Sequence, residues 1–242
     1  MRVCAAQFQT KSADLTYNLS QYKRLIQCAA DKNIDLIFFP ELSLTGYEPE
    51  QAEELAMTED DHRFSIFQTL SDQHGMIIGI SAPIRSDHSI TISLLFFIPD
   101  KETLLYSKQI LHNDEKPFFQ PGTEQLLIPS GKEVLAPAIC YESLQDEHQI
   151  SAKQSGASIY LASIAKHNAG MSKAYQHYAR IARQSDLIVI MANSVGPCDN
   201  FIAGGLSAIW LNSGQRLTSL AADVTGIAGI DTVSHEAISV TL

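Results

Sequence analysis

Ile34-Asp-Leu-Ile-Phe-Phe-Pro-Glu-Leu-Ser-Leu-Thr-Gly-Tyr47 sets a short apolar run against an acid that follows it at once. The run 34–39 has the length of a buried strand, and Pro40 marks its end. An ionisable side chain at such a place is costly unless its charge is compensated. Glu41 lies between apolar neighbours, and Gly46 permits a sharp return of the chain. The carboxylate is therefore expected in a tight, partly dry loop, where it is usable as a base. Taken alone it reads equally as a loop carboxylate or a helix cap. Two further apolar runs carry similar interruptions, Lys108 within Leu104-Leu-Tyr-Ser-Lys-Gln-Ile-Leu111 and Cys140 after Val134-Leu-Ala-Pro-Ala-Ile139. A base, a cation and a thiol meeting at strand ends would form a nucleophilic site.

Working outward from the 34–39 strand, the hydrophobic period keeps switching between that of a helix and that of a strand. Leu15, Leu19, Tyr22, Ile26 and Ala29 fall on one helical face, with Asp14 or Ser12 as cap. An acidic stretch runs from Glu48 to Glu54, and Thr58-x-x-Asp61 reads as a capping box opening a helix near 59–73. Met76 to Ile84 and Ile90 to Ile98, separated by Arg85-Ser-Asp-His-Ser89, predict neighbouring antiparallel strands, joined through Asp100-Lys-Glu102 to Leu104–Tyr106. After Cys140 the spacing predicts a helix over roughly 143–155, a strand 158–163, a helix carrying Ala174, Tyr178 and Ile181, and a strand 187–192. A hairpin turning at Asn212-Ser-Gly214 follows. This is α/β order with hairpins, hence a mixed sheet.

The 242 residues suit one domain with a sizeable core, 1–242. Lys and Arg number 17 against 27 Asp and Glu, so the formal net charge of −10 repels phosphate backbones and anionic membrane surfaces. Neither nucleic acid nor a membrane is an expected partner, and no run reaches transmembrane length. Met1-Arg-Val-Cys-Ala-Ala-Gln-Phe-Gln9 alternates like a first strand and lacks the long apolar core of a signal peptide. Cys4, Cys28, Cys140 and Cys198 form no CxxC pair, which fits neither a zinc ribbon nor a disulfide framework, and a reducing cytoplasm is the simplest expectation.

Free cysteine usually behaves as a small buried hydrophobe, and Cys4, Cys28 and Cys198 are read so. Cys140 differs because Tyr141, Glu142 and Ser143 break the apolar run immediately. That puts the thiol at a strand-to-helix turn whose N–H groups can receive an oxyanion. Burial and nucleophilicity remain even readings at this point. Lys108 alone would be an edge-strand cation with its ammonium in water. The downstream Asp114-Glu-Lys-Pro-Phe-Phe-Gln-Pro-Gly122 brings carboxylates near, so Glu115 either holds that ammonium or is a solvated loop charge. Three rival constellations compete: a Cys–His hydrolase using His112, His148, His167 or His177, none singled out by spacing; a metal hydrolase using His112-x-x-Glu115 without a second metal signature; and a non-catalytic binding protein.

The ordered set of motifs resembles the nitrilase, or carbon-nitrogen hydrolase, superfamily over nearly the whole chain. Phe39-Pro-Glu-Leu-Ser-Leu-Thr-Gly-Tyr47 resembles the segment with the family's general-base Glu, Tyr106-Ser-Lys-Gln-Ile-Leu111 the segment with its catalytic Lys, and Ile139-Cys-Tyr-Glu142 the nucleophile segment. Supporting matches are Asp114-Glu115 with Phe119-Gln-Pro-Gly122, Gly156-Ala157, Ala192-Asn193 with Gly196, and Gly204-Gly205-Leu-Ser207. The resemblance implies an α-β-β-α sandwich with two mixed sheets, a Glu41–Lys108–Cys140 triad and a supporting Glu115. Homodimers or higher homo-oligomers, no cofactor and no metal are also implied. Two departures stand out: Leu144-Gln-Asp-Glu147 replaces the aromatic-Pro-Glu run of many relatives, and the chain ends soon after Asp231-Thr-Val233, which speaks against a tail-swapped assembly. The Leu-Thr-Gly-Tyr-x-Pro segment also resembles the glutaminase domain of glutamine-dependent NAD synthetases.

A free thiol titrates near pH 8.5, so it needs help to ionise. At a separation of about 4 Å and an effective dielectric of about 20, the Lys108 ammonium would favour a Cys140 thiolate by roughly 4 kcal/mol before desolvation. Glu41 would then shuttle the proton to the departing amine and activate water against a thioester, with Lys108 and an N–H near Tyr141 meeting the oxyanion. The expected substrate is a linear amide or carbamoyl compound rather than a nitrile, because Tyr141 stands where nitrilases of the superfamily commonly carry Trp. A nitrilase or an acyl-transferring relative is the alternative. Tyr47, Tyr141 and Glu142 are the expected substrate contacts, Glu142 being either a ligand for an amide N–H or a helix-start carboxylate.

Overall fold

The computed structural model describes residues 1–87 and 89–242. In chain order the first half contains β1 (Arg2–Gln7), α1 (Leu15–Ala30), β2 (Leu36–Phe38), α2 (Ala52–Leu55), α3 (Ser65–His74), β3 (Ile77–Ser86), β4 (Ser89–Phe97) and β5 (Leu104–Ser107). The second half contains β6 (Ile128–Ser130), β7 (Glu133–Ile139), α4 (Asp146–Gln154), β8 (Ile159–Ile164), α5 (Asn168–Gln184), β9 (Ile188–Asn193), β10 (Val195–Cys198), β11 (Phe201–Gly204), β12 (Ala208–Trp210), β13 (Arg216–Ser219), β14 (Gly226–Asp231) and β15 (Ala237–Thr241).

Two large sheets form, one ordered β15-β14-β1-β2-β3-β4-β5 and the other β13-β12-β9-β8-β7-β6. Each is mixed: β1, β2 and β3 run parallel, as do β7, β8 and β9, and hairpin strands flank both trios antiparallel. The parallel strands are short and apolar on both faces because each face is covered. Val3, Phe38, Leu94 and Phe96 of the first sheet share a core with Leu135, Leu161 and Ile190 of the second, filling the space between the sheets. On the outer face of the first sheet, Tyr22, Leu25, Ile26 and Phe67 of α1 and α3 pack on Phe39 and Ile78. On the outer face of the second, Ala152, Met171, Ala174, Tyr178 and Ile181 of α4 and α5 pack on Tyr160, Ala162 and Trp210. The layers are therefore α-β-β-α, as the resemblance implied.

Several local expectations are refined. Asp14 is the cap of α1, its Oδ1 accepting from Tyr17 N at 2.9 Å. The capping box at Thr58 is not formed, because the Thr58 hydroxyl donates to Asp60 at 2.6 Å; Asp61 caps instead, and a 3-10 turn over His62–Phe64 delays α3 to Ser65. The helix placed at 143–155 is likewise split into a 3-10 turn at Cys140–Leu144 and α4. The acidic stretch 48–54 holds a 3-10 turn, Pro49–Gln51, and most of α2. Within the turn at 85–89, His88 lies outside the described residues, while Ser86 pairs with Ser89 as the hairpin requires.

Candidate active site

Glu41 follows β2 through Phe39 and Pro40, and the loop is pinned locally. Leu42 N donates to Ser81 Oγ at 2.9 Å, and Ser43 N donates to Pro40 O at 3.2 Å. Leu42 is forced to a positive φ of 50° by this return, and Gly46, at φ 87°, passes so close to Ser12 that a Cβ there would meet its Cα at 3.0 Å. Lys108 follows β5, held by Lys108 N donating to Ile92 O at 2.9 Å and Gly122 N donating to Lys108 O at 2.8 Å. Gly122 must lack a side chain, because a Cβ would fall 2.3 Å from Ser107 O.

These two loops bury an ammonium between two carboxylates. Lys108 Nζ donates to Glu41 Oε1 at 2.7 Å and to Glu115 Oε1 at 2.6 Å, and all three side chains are sealed from solvent. Glu115 is fixed further by Tyr47 OH donating at 3.0 Å and by His112 N donating to Oε2 at 2.8 Å. The Glu115 oxygens are thus taken up by Lys108, Tyr47 and backbone, and the His112 ring bonds to Asp114, so the His112-x-x-Glu115 metal reading fails on geometry. Among the described residues no group of three or more His, Cys, Asp or Glu is placed to hold a metal.

Cys140 stands where β7 ends and the 3-10 turn begins, with φ at +47°. A left-handed backbone is uncommon for a residue with a Cβ and marks stored strain. Its Sγ lies 3.8 Å from Ala165 O, and the residue keeps some exposure. The four candidate histidines are engaged elsewhere: His148 with Tyr106 and Tyr160, His177 with Ser143 O and Arg180, His112 with Asp114, and His167 with Gly170 N.

The electrostatics correct one expectation. Burial pushes Glu41 up to about 7 against the pull of Lys108, with Glu115 adding to the rise. Burial alone would weaken the Lys108 ammonium, yet Glu41, Cys140 and Glu115 hold it above its ordinary value. The thiol of Cys140 is pushed up, by burial and then by Glu41, against the opposing pull of Lys108. One ammonium shared by two carboxylates leaves the thiol in a dry and net negative surrounding, which opposes the thiolate that a Lys–Cys pair alone would favour. Among the described residues, Glu41 Oε2 is buried and has no hydrogen-bond partner, so one oxygen of this carboxylate is left unengaged.

Glu142 does not face a substrate. Its Oε1 accepts from Tyr106 OH at 2.7 Å and Ile139 N at 2.6 Å, and its Oε2 accepts from Gln109 N at 2.6 Å and Ile110 N at 3.2 Å. Four donors occupy a carboxylate that turns back under the Cys140 turn and clamps it to the segment after Lys108. Burial raises it to about 7 against hydrogen bonds from Tyr106, Ile139 and Gln109. Behind it, Tyr160 OH and Tyr106 OH bracket His148 at 2.7 and 2.8 Å, a network the sequence reading missed. Burial pulls His148 down to about 4, so the ring is neutral. Since Tyr106 gives its proton to Glu142, His148 Nε2 donates to Tyr106 and Nδ1 accepts from Tyr160. Tyr47 is beside Glu115, with its hydroxyl donated to that carboxylate and its ring edge on Phe201 at 5.7 Å. Tyr141 is on the rim, exposed, its ring against His112 at 5.2 Å. Asn193 pins the Ala165–His167 loop, accepting from Lys166 N at 2.9 Å and donating to Lys166 O at 3.1 Å and Gly205 O at 2.8 Å.

Residues 2–238 match the family model described as carbon-nitrogen hydrolase. A glutamine-dependent NAD(+) synthetase of Thermotoga maritima is 27% identical over 229 residues, covering 89% of this chain and 39% of that protein. One from Acinetobacter baylyi is 24% identical over 224 residues, covering 88% and 41%. The chain therefore spans less than half the length of these curated relatives. Among solved structures, NitN amidase from Nesterenkonia sp. AN1 superposes with a TM-score of 0.86 at 24% identity, over 96% of this chain and 92% of that one. A cysteine-to-alanine mutant of that amidase in complex with butyramide gives 0.87 at 23% identity, over 97% and 92%. The likeness extends across both sheets and their helices.

Proposed function

Because the chain belongs to the carbon-nitrogen hydrolase family, we propose that it hydrolyses the C–N bond of a linear carboxamide or carbamoyl compound, releasing ammonia and a carboxylic acid through a thioester on Cys140. The observation that carries this reading is the buried Lys108 ammonium held by Glu41 at 2.7 Å and Glu115 at 2.6 Å beside a nucleophile on a strained turn. A cation buried at that cost is retained where charge must be met.

Glu41 Oε2 takes the proton from Cys140 Sγ as the sulfur attacks the amide carbonyl, so thiolate forms only in the reacting complex. The carbonyl π electrons move to oxygen, and the Lys108 ammonium and the Tyr141 N–H at the start of the turn meet that oxyanion. Collapse expels the amine, which leaves as ammonia with the proton from Glu41. Water then attacks the thioester, giving one proton to Glu41, and the second collapse releases the acid while that proton returns to sulfur. Glu115, tied to Tyr47 and His112 N, holds Lys108 in place through the cycle.

Tyr141 beside the nucleophile favours amide over nitrile. Matched nitrile and amide pairs, such as butyronitrile and butyramide, test this by ammonia release. Amide turnover that vanishes in Cys140→Ala, with the nitrile inert, is the expected outcome. Faster acid production from the nitrile, with the amide untouched, would overturn the amide assignment.

A further inference from the structure

Of the four histidines weighed as partners for Cys140, only His148 is buried. Its ring bonds to two tyrosines, Nδ1 with Tyr160 OH of β8 at 2.7 Å and Nε2 with Tyr106 OH of β5 at 2.8 Å. A polar ring at such a place must be satisfied on both nitrogens, a demand an apolar side chain would not make. What the ring serves is read from where its chain of bonds ends.

The direction of that chain is fixed at its far end. Tyr160 is sealed from solvent, and among the described residues His148 Nδ1 is the one hydrogen-bond partner of its hydroxyl. An unpaired buried O–H is costly, so Tyr160 donates and Nδ1 accepts. The ring proton is then on Nε2 and goes to Tyr106, whose own proton goes to Glu142 Oε1 at 2.7 Å. Gln109 Nε2 reaches the Tyr106 hydroxyl as well, at a longer 3.4 Å. Tyr160, His148 and Tyr106 thus donate in series toward one carboxylate, and in a dry interior each bond strengthens the next. Glu142 passes that order to both halves of the site. Its Oε1 also accepts from Ile139 N, the residue before Cys140, and its Oε2 accepts from Gln109 N and Ile110 N, the two residues after Lys108. Rotation of this carboxylate therefore shifts Cys140 against Lys108, and so against Glu41, which the ammonium holds at 2.7 Å. Among the described residues Tyr106 is the one side chain bonded to Glu142, and His148 is what fixes the turn of its hydroxyl.

Resting on the amide hydrolase reading above, we propose that His148 is a positioning residue for that reaction: through Tyr106 and Glu142 it sets the Cys140 thiol against the Lys108 ammonium, and Tyr160 in turn orients His148. Being buried, His148 makes no contact with substrate, so its loss falls on turnover and not on binding. A misplacement of about 1 Å in a reacting pair costs on the order of a hundredfold in rate.

Three variants, each verified as folded by circular dichroism, test this with butyramide. His148→Leu removes both bonds and should lower kcat by about tenfold or more with KM little changed. His148→Gln keeps an N–H donor for Tyr106 and should recover most of that kcat, whereas a packing role alone would favour Leu over Gln at a buried site. Tyr160→Phe deletes one hydroxyl at the far end of the chain and should also lower kcat at unchanged KM; it decides the matter where His148→Leu fails to fold. The rate at which fluoroacetamide leaves a mass adduct on Cys140 reads the same losses whatever the true amide is. Long-range 1H–15N correlation of the histidine rings, with the His148 signals identified by their loss in His148→Gln, should show a neutral ring protonated on Nε2 at neutral pH. A ring protonated on Nδ1, a Gln variant no better than Leu, a loss expressed mainly in KM, or kcat and adduct rates unaltered in Tyr160→Phe overturns the positioning role and leaves the hydrolase reading standing. A wild-type protein that neither hydrolyses butyramide nor takes the fluoroacetamide adduct overturns the hydrolase reading and this inference with it.

Discussion

At the residue scale the decisive fact is the sharing of one ammonium by two acids. A Lys beside a Cys suggests a stable thiolate, but Glu41 and Glu115 already compensate Lys108 at 2.7 and 2.6 Å. The thiol of Cys140 is therefore driven up, and in the proposed reaction it gives its proton to Glu41 at the moment of attack. This has a measurable sign. Below pH about 7 Glu41 holds a proton and cannot accept another; above it the carboxylate is free, so alkylation of Cys140 by iodoacetamide should rise through pH about 7. In Glu41→Gln the base is gone, and the rate at pH 7.5 should fall by about a hundredfold or more, within the range of a lost general base. A rate that stays flat from pH 5.5 to 8 would show a preformed thiolate and refute this account.

At the scale of elements, Glu142 joins the segment after β5 to the turn after β7. Replacing it by Gln puts an amide NH2 where an oxygen now accepts from backbone donors, leaving buried N–H groups facing N–H groups. Glu142→Gln should cost about 3 kcal/mol, by the penalty for orphaned buried donors. That corresponds to a fall in Tm of roughly 6–12 °C for a chain of this size. Thermal unfolding monitored by circular dichroism measures it, and an unchanged midpoint would show that the clamp is not formed. The same elements show what was legible in the sequence. Glu41, Lys108 and Cys140 were visible because each interrupts an apolar run, a local signal. Of the two readings of Glu142, the helix-start carboxylate is the one its bond from Ile139 N supports, while the donors at 106, 109 and 110 were out of sight because only the tertiary fold brings them together. β14 and β15 escaped notice for a related reason: Gly226 and Gly229 give β14 no strand signature, and β15 is an edge strand with alternating exposure that pairing alone defines. Gly229 is required by close approach, since a Cβ there would lie 2.9 Å from Cys4 Cβ and Val3 O, a demand set by β1 and not by its own neighbours.

At the scale of the whole molecule, both sheets bury their inner faces against each other and their outer faces under helices, so the main apolar surfaces are satisfied within one chain. The stretch after Cys140 is one exception. Ile150 on α4 is 44% exposed and Tyr141 is 37% exposed, large apolar groups on a segment otherwise rich in acids. Covering them with a second copy is the arrangement that would remove that surface from water. A homodimer through the face around α4 is therefore expected, opposed by the repulsion between two chains of net charge −10. Two consequences distinguish this from nonspecific association. Dimer strength should increase with salt up to physiological ionic strength, as screening shortens the repulsion to about 8 Å. Ile150→Asp should shift the population toward monomer, because it replaces the apolar contact with a charge facing its own symmetry mate. Size-exclusion chromatography with light scattering at micromolar concentration reads both. A wild-type protein that is monomeric at low and at physiological salt would refute the dimer, and a dimer unaffected by Ile150→Asp would move the interface away from α4.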